Sequence, residues 1–258
     1  MKKLLLALFI PVFVVGAYFS YDYLQTKLVS GAPPYEVADD PPSGEDELYA
    51  WLKNWKRPEG PTKVALQVGH WKSSEAPDEL HRLRGNTGAT GDGKAEWEVN
   101  MAIAEETAKL LESEGIGVEI LPTTIPPGYF ADVFVSIHAD GSLDPEKSGY
   151  KAAAPRRDMT GNAEALLKAV EKEYAEATKL TKDPNVTRNM RGYYAFGWWR
   201  YKHAVHPMTT SIILETGFLT SPADRELIVD NPEISAQGLA KGILEYLLDK
   251  GLIEESQT

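Results

Sequence analysis

The chain contains no cysteine among its 258 residues. This absence excludes disulfide bonds, thiolate zinc fingers, iron–sulfur clusters and a cysteine nucleophile. Any bound metal ion must therefore be held by His, Asp or Glu. Basic residues are also in the minority, because 27 Lys and Arg stand against 38 Asp and Glu and give a formal net charge of -11. We therefore expect no nucleic acid among the partners.

The apolar run at the N-terminus indicates export. Two lysines, Lys2 and Lys3, precede an uncharged apolar run from Leu4 to Phe19, which is the order typical of an export signal. Small residues around Ala17 would suit cleavage, whereas apolar residues that continue to Leu24 would suit a retained anchor. We expect residues 1–28 to be one of these two. The protein would then be extracytoplasmic, either secreted or attached to the cytoplasmic membrane.

The rest of the chain divides into a spacer, a domain and a tail. Residues 29–60 hold a proline-rich spacer, in which Gly31 to Gly44 contains four prolines, and a predicted short helix from Glu45 to Trp55 that packs on the domain. With 43% hydrophobic and 25% charged residues, the composition is typical of soluble globular proteins. We expect residues 61–252 to form one catalytic domain, residues 253–258 to be a tail, and the protein to be a monomer.

Short apolar runs rich in β-branched residues alternate with helical patterns from Pro61 onward. The predicted strands are Val64 to Val68, Val118 to Leu121, Val133 to Ile137 and Ser211 to Leu214. The predicted helices are Glu96 to Glu114, Gly161 to Leu180 and Ile234 to Leu248. Strands that alternate with helices need crossover connections, so the pattern predicts an α/β domain with a mainly parallel central sheet flanked by helices.

Ionisable side chains follow three of the predicted strands. His70 comes after the first strand, His138 after the third and Glu215 after the fourth. Because the carboxyl ends of the strands form the ligand crevice of an open α/β sheet, these residues should converge. Glu96, which opens a helix after the Gly-rich loop 85–93, is a fourth candidate. Two imidazoles and a carboxylate make a zinc set with an open position, and a second carboxylate can act as a general base.

Each of these residues also has a structural interpretation. A lone His at a strand end more often makes a structural hydrogen bond, and a Glu at a helix N-terminus commonly complements the helix dipole. His203 and His206, three residues apart, could bind a metal ion, but we interpret them as residues at the rim of the ligand crevice.

Aromatic residues on the predicted loops could form a substrate wall or could serve local packing. They are Trp71, Tyr193, Tyr194, Trp198 and Trp199. Arg191 could pair with a carboxylate of the substrate or be an ordinary surface arginine. We take Trp71, Arg191 and Tyr193 as the candidate substrate residues.

Four segments resemble a known family. They are Val68-Gly69-His70, Glu96 to Ala104, Ala131 to Asp140 and Leu214 to Asp224. In this order, and over most of Pro61 to Leu248, the chain resembles the zinc-dependent N-acetylmuramoyl-L-alanine amidases of the type 3 family, which are cell-wall hydrolases.

The resemblance implies a Rossmann-like α/β sandwich that binds one zinc ion and acts on peptidoglycan. His70, Glu96 and His138 would be the zinc ligands, and Glu215 would be the catalytic carboxylate that takes a proton from water. The bond cleaved would be the amide between N-acetylmuramic acid and L-alanine of the stem peptide.

Two features depart from the family pattern. Trp71 and Lys72 follow the first histidine, where the family usually has two small residues, which leaves the shape of the groove floor open. Only Pro122 to Phe130 separates the second and third predicted strands. We therefore expect a helix that relatives carry there to be missing.

Two other functions remain open. One is a peptidase that cuts within the stem peptide with the same zinc site. The other is a catalytically inactive, membrane-tethered module that binds the wall.

Overall fold

The computed structural model of the protein describes residues 44–254. The predicted signal or anchor at residues 1–28, most of the spacer and the end of the tail lie outside the described residues and stay predictions. Within residues 44–254, no helix is both long enough and apolar enough to cross a membrane.

Strands and helices follow one another in the predicted order. The strands are β1 (Lys63–Val68), β2 (Thr90–Gly91), β3 (Lys94–Ala95), β4 (Gly117–Leu121), β5 (Val133–Asp140), β6 (Lys151–Ala153) and β7 (Thr210–Phe218). The helices are α1 (Glu45–Asn54), α2 (Glu96–Ser113), α3 (Ala163–Thr178), α4 (Arg188–Arg191), α5 (Pro222–Ile228) and α6 (Pro232–Asp249). Short 3₁₀ turns occur at Ser73–Glu75, Asp78–Leu83 and Tyr194–Phe196.

A five-stranded sheet of order β4-β1-β5-β7-β6 forms the centre of the domain. Strands β4, β1, β5 and β7 are parallel, and β6 is an antiparallel edge strand. The prediction of an α/β fold with a mainly parallel sheet is therefore confirmed. Strand β6 and the β2–β3 hairpin were not predicted, because strands of two or three residues are too short to show a periodic pattern.

The sheet is buried on both faces, which explains its runs of β-branched residues. On one face, Val64 and Leu66 of β1 belong to a core cluster with apolar residues of α2, α3 and α6. On the other face, Phe134 of β5 belongs to a second cluster that includes Ile125 and Phe196 from the connecting segments. Long helices therefore cover one face, and loops with short turns cover most of the other.

Helix α1 packs on the domain, as predicted. The Trp51 ring centroid lies 5.3 Å from that of His206, and the Trp55 ring centroid lies 5.4 Å from that of Phe130. His206 is only 2% exposed. Its interpretation as a rim residue is therefore wrong, because the tryptophans of α1 pack against it.

The connection between β4 and β5 contains no helix across residues 122–132, as the short spacing predicted. It packs instead on the face of the sheet that the loops and short turns cover, where Ile125 is fully buried. The backbone N–H of Thr123 donates to the carbonyl of Trp71 at 2.9 Å. This connection therefore contacts the segment that follows β1.

Helices α3 and α6 approach so closely that two positions of α6 require glycine. A Cβ added to Gly242 would overlap the backbone of Val170, and one added to Gly238 would overlap the backbone of Tyr174. Backbone atoms cannot move aside as the end of a flexible side chain can. The close contact between α3 and α6 therefore depends on glycine, which has no side chain, at these two positions.

We expect Gly242→Ala to destabilise the fold by about 1–3 kcal/mol, because the new methyl group would push α3 and α6 apart. Alanine favours a helix over glycine by up to about 1 kcal/mol, and the overlap should outweigh this gain. Equilibrium urea unfolding measures the difference. Lys241→Ala, at the exposed neighbouring position, is the matched control and should change stability little. Equal or higher stability of Gly242→Ala would contradict the account of the helix contact.

Candidate functional site

The three predicted metal ligands converge at one end of the sheet. His70 follows β1, Glu96 is the first residue of α2, and His138 lies in β5. Their candidate ligand atoms all lie within 4.8 Å of one another. His138 Nδ1 lies 3.0 Å from Glu96 Oε1, and His70 Nε2 lies 3.5 Å from the same oxygen. In the part of the chain that the structure describes, this is the one cluster of three or more such residues able to hold a metal ion.

Two glycines make this approach possible. A Cβ added to Gly69 would overlap the imidazole ring of His138, and one added to Gly88 would overlap the carboxylate of Glu96. Gly88 also has a φ of +73°, which residues with a side chain rarely adopt. The Gly-rich loop can therefore lie directly against the candidate ligands.

His70 is held in an unusual backbone conformation. Its φ of 65° lies in the left-handed region, which is uncommon for residues other than glycine and often marks a functional position. The ring Nδ1 lies 2.9 Å from the carbonyl oxygen of Asn86. Since a carbonyl can only accept, Nδ1 donates to it, and Nε2, 3.5 Å from Glu96 Oε1, is the ring nitrogen left to bind a metal ion.

Glu96 is the most enclosed of the three, with 3% exposure. Burial works against its ionisation, but the hydrogen bond and charge of His138, the charge of His70 and a backbone N–H outweigh burial and lower the pKa of Glu96. That N–H belongs to Ala89, which donates to Oε2 at 2.7 Å, while the N–H of Ala139 donates to Oε1 at 3.1 Å. The carboxylate is thus kept ionised and oriented. A His₂Glu donor set of this kind fits Zn²⁺.

Glu215 lies beside this cluster on the neighbouring strand. It is half-buried in β7, paired in register with His138 of β5. Burial raises the pKa of Glu215 to about 7, although the positive charges of His138 and Lys151 act in the opposite direction. A carboxyl group that titrates near neutral pH can both accept and donate a proton under ordinary conditions.

The positions of two predicted residues differ in detail from the sequence-based expectation. His138 and Glu215 were expected to follow their strands, yet β5 continues to Asp140 and β7 continues to Phe218. Backbone pairing between β5 and β7 extends past both residues, with a register irregularity between His138 and Asp140. The expected convergence still occurs, because both residues lie near the carboxyl ends of parallel strands.

The candidate substrate residues lie in different environments. Trp71 is half-buried against the core, with Lys72 Nζ 4.9 Å from the centroid of its ring. Arg191 is exposed at the end of α4. The Tyr193 hydroxyl lies 3.4 Å from His138 Nε2. Substrate contact for these three residues stays a prediction.

The other aromatic residues divide between surface and core. Trp199 is 44% exposed, and its ring packs edge-on against that of Trp198. Tyr194 is only 8% exposed. A place for Tyr194 in a substrate wall is therefore wrong. Its hydroxyl bonds to Gln67 inside the domain instead.

His203 lies apart from the candidate metal site. Its Nδ1 lies 2.6 Å from Glu79 Oε1, and its backbone N–H donates to the same oxygen at 2.8 Å. His203 therefore fixes a surface loop and does not join His206 in a metal site.

Two residues at the site were missed from the sequence. Lys151 of β6 is buried, pairs with the Asp140 carboxylate and lies in register with Glu215. Gln67 of β1 is fully buried and bonds to the Tyr193 hydroxyl at 3.0 Å. Each is a single polar residue inside an otherwise apolar run. A lone polar residue in an apolar run could have indicated both residues, because a buried polar group needs a hydrogen-bond partner.

Comparison with known proteins gives a consistent family match. The sequence profile of the family described as N-acetylmuramoyl-L-alanine amidase matches residues 64–245. A curated relative, N-acetylmuramoyl-L-alanine amidase AmiA of Salmonella typhimurium, is 26% identical over 208 residues, covering 62% of this chain and 72% of the relative.

Solved structures agree with the fold. An N-acetylmuramoyl-L-alanine amidase from Clostridium difficile 630 has a TM-score of 0.52 and 20% identity, covering 75% of this chain and 100% of that one. Amidase AmiC2 of Nostoc punctiforme has a TM-score of 0.51 and 20% identity, covering 74% and 99%. At these identities, the likeness supports the fold alone.

The raised pKa of Glu215 predicts a stability change that depends on pH. The unfolded chain ionises this carboxyl near pH 4.5, whereas the folded protein does so at about 7. Above about pH 7 the ionised Glu215 therefore destabilises the folded protein. This destabilisation decreases as the pH falls toward about 4.5. In metal-free protein we expect Glu215→Gln to raise the free energy of unfolding at pH 8 by up to roughly 3 kcal/mol, with a smaller difference at pH 5.

Urea unfolding of the wild type and the variant at both pH values measures this difference. Glu226→Gln, at an exposed position of α5, is the control and should show no such dependence. A Glu215→Gln difference that stays constant between pH 5 and pH 8 would contradict the raised pKa.

Proposed function

The chain belongs to the N-acetylmuramoyl-L-alanine amidase family, and from this premise we propose that it hydrolyses the amide between N-acetylmuramic acid and L-alanine of peptidoglycan with one zinc ion. The observation that carries the proposal is the convergence of His70, Glu96 and His138 beside Glu215, a carboxyl group with a pKa of about 7. An inactive wall-binding module would have no need to retain all four groups in this arrangement.

The donor set supports zinc as the metal. Both histidines and the carboxylate direct a candidate ligand atom at a common region, and three protein ligands leave a position open, as in catalytic zinc sites. When bound, zinc would acidify water and polarise the scissile carbonyl. Glu96, kept ionised by its hydrogen bonds, would balance part of the added positive charge.

Glu215 is the proposed catalytic carboxylate. Its position in register with His138 brings it next to the metal ligands without making it one of them. As a base it would take the proton of the attacking water, and as an acid it would pass that proton to the amine of L-alanine as the amide bond breaks. A pKa of about 7 suits both steps.

The location and binding surface follow from the same function. Peptidoglycan lies outside the cytoplasm, in agreement with the export signal or anchor expected at residues 1–28. We propose that the protein acts there as a monomer. Trp71 and Arg191 remain candidates for contact with the stem peptide, whereas the contacts of Tyr193 favour another role.

Product analysis tests the proposed bond. The full-length protein is incubated with purified muropeptides, and the products are identified by mass spectrometry. We expect intact glycan and a free stem peptide with L-alanine at its new N-terminus. Peptides cut internally would favour the peptidase, and absence of any product from zinc-loaded protein would favour the inactive wall-binding module.

Separate substitutions distinguish the metal ligand from the base. We expect His138→Ala to lose stoichiometric zinc and activity together, because it removes one of three ligands. Glu215→Gln should keep zinc but lose roughly two to four orders of magnitude in rate, the usual contribution of a general base. Metal analysis and initial rates measure the two effects. Stoichiometric zinc in an active His138→Ala protein, or a normal rate in Glu215→Gln, would contradict the assignment.

A further inference from the structure

We propose that Tyr193 is a positioning residue of the metal centre, whose hydroxyl oxygen holds the Nε2–H of His138 and so directs Nδ1 toward the metal. The proposal rests on the zinc site proposed above. The Tyr193 hydroxyl lies 3.4 Å from His138 Nε2 and 3.0 Å from Gln67 Oε1. Three residues, Gln67, Ser136 and Tyr193, form the relay that sets the direction of these hydrogen bonds.

The direction is fixed at a backbone carbonyl. The oxygen of Thr123 can only accept, so the Gln67 side-chain atom 2.7 Å from it is the amide nitrogen Nε2. The other end of the amide, Oε1, can only accept. It lies 2.7 Å from Ser136 Oγ and 3.0 Å from the Tyr193 hydroxyl oxygen. Two oxygens at such distances need a proton between them, so both hydroxyls donate to Gln67.

Tyr193 has a single proton, and Gln67 accepts it. A tyrosine phenol keeps its proton near neutral pH. Toward His138 the oxygen can then only accept, and His138 Nε2 must carry the proton that it donates. The other ring nitrogen, Nδ1, lies 3.0 Å from Glu96 Oε1. It is the atom left for the metal, which would replace the proton that Nδ1 donates to the carboxylate.

The two histidines therefore offer different ring nitrogens to the metal. His70 is tied through Nδ1 to the carbonyl of Asn86 and offers Nε2, whereas His138 is tied through Nε2 and offers Nδ1. In each case the second nitrogen is hydrogen-bonded to the protein, which orients the ring and fixes its tautomer.

Burial keeps the relay in one orientation. Gln67 and Ser136 are register partners on β1 and β5, and both are fully buried. Gln67 uses its other amide proton on the hydroxyl of Tyr194, at 2.7 Å. Rotating the amide by half a turn would place its NH₂ group against two donors and its oxygen against a carbonyl, which is costly in the interior.

Zinc affinity tests the role of Tyr193. Competition with a chelator gives the dissociation constant of the full-length protein, and we expect Tyr193→Phe to weaken zinc binding about 10- to 100-fold, the usual effect of losing such a partner. Tyr201→Phe is the matched control, because its ring packs against Tyr194 but is not a member of the relay. Equal affinity of Tyr193→Phe and wild type would overturn the proposal.

Nitrogen-15 NMR of the zinc-loaded protein gives a second readout, which a merely structural role would not produce. With His138 assigned through the His138→Gln variant, we expect a zinc-bound Nδ1 and a protonated Nε2 whose proton exchanges with water faster in Tyr193→Phe. A zinc-bound Nε2 would overturn the tautomer and leave the proposed function intact. A wild-type protein that binds no zinc would overturn both proposals.

Discussion

The arrangement of the site depends on one buried ion, the Glu96 carboxylate. A carboxylate with 3% exposure is costly unless its oxygens are fully hydrogen-bonded or paired with charge. Its partners come from separate parts of the chain: the N–H of Ala89 in the Gly-rich loop, the N–H of Ala139 in β5, and the rings of His70 and His138. Satisfying this single group therefore fixes a loop, a helix start and two strand ends relative to one another.

The same environment gives two carboxyl groups opposite properties. Glu96 lies between two imidazoles and accepts backbone hydrogen bonds, so its pKa is lowered. Glu215 is half-buried and lacks comparable compensation, so burial raises its pKa to about 7. Separated pKa values of neighbouring carboxyl groups are the usual basis for separate roles in catalysis. Here they favour a ligand at Glu96 and a proton carrier at Glu215.

Sequence patterns predicted the sheet and its ionisable residues because both depend on local composition. The buried runs of β1, β5 and β7 are rich in Val and Ile, and their carboxyl ends must meet in a parallel sheet. Strand β6 was not predicted because Lys151–Ala153 is short and mostly alanine. The burial of His206 and the hydrogen-bond partners of Tyr193 were not predicted for another reason. Both depend on segments that meet only after folding, and no local pattern records such contacts.

The two segments singled out by the sequence resemblance, Trp71-Lys72 and the connection after β4, are hydrogen-bonded to each other. The carbonyl of Trp71 accepts the N–H of Thr123, which lies in the short connection after β4, at 2.9 Å. The carbonyl of Thr123 in turn accepts from Gln67 Nε2 at 2.7 Å, and Gln67 bonds to Tyr193 beside His138. The connection after β4 therefore places a backbone acceptor against Gln67, and in the arrangement proposed above this acceptor sets the direction of the hydrogen bonds that reach His138.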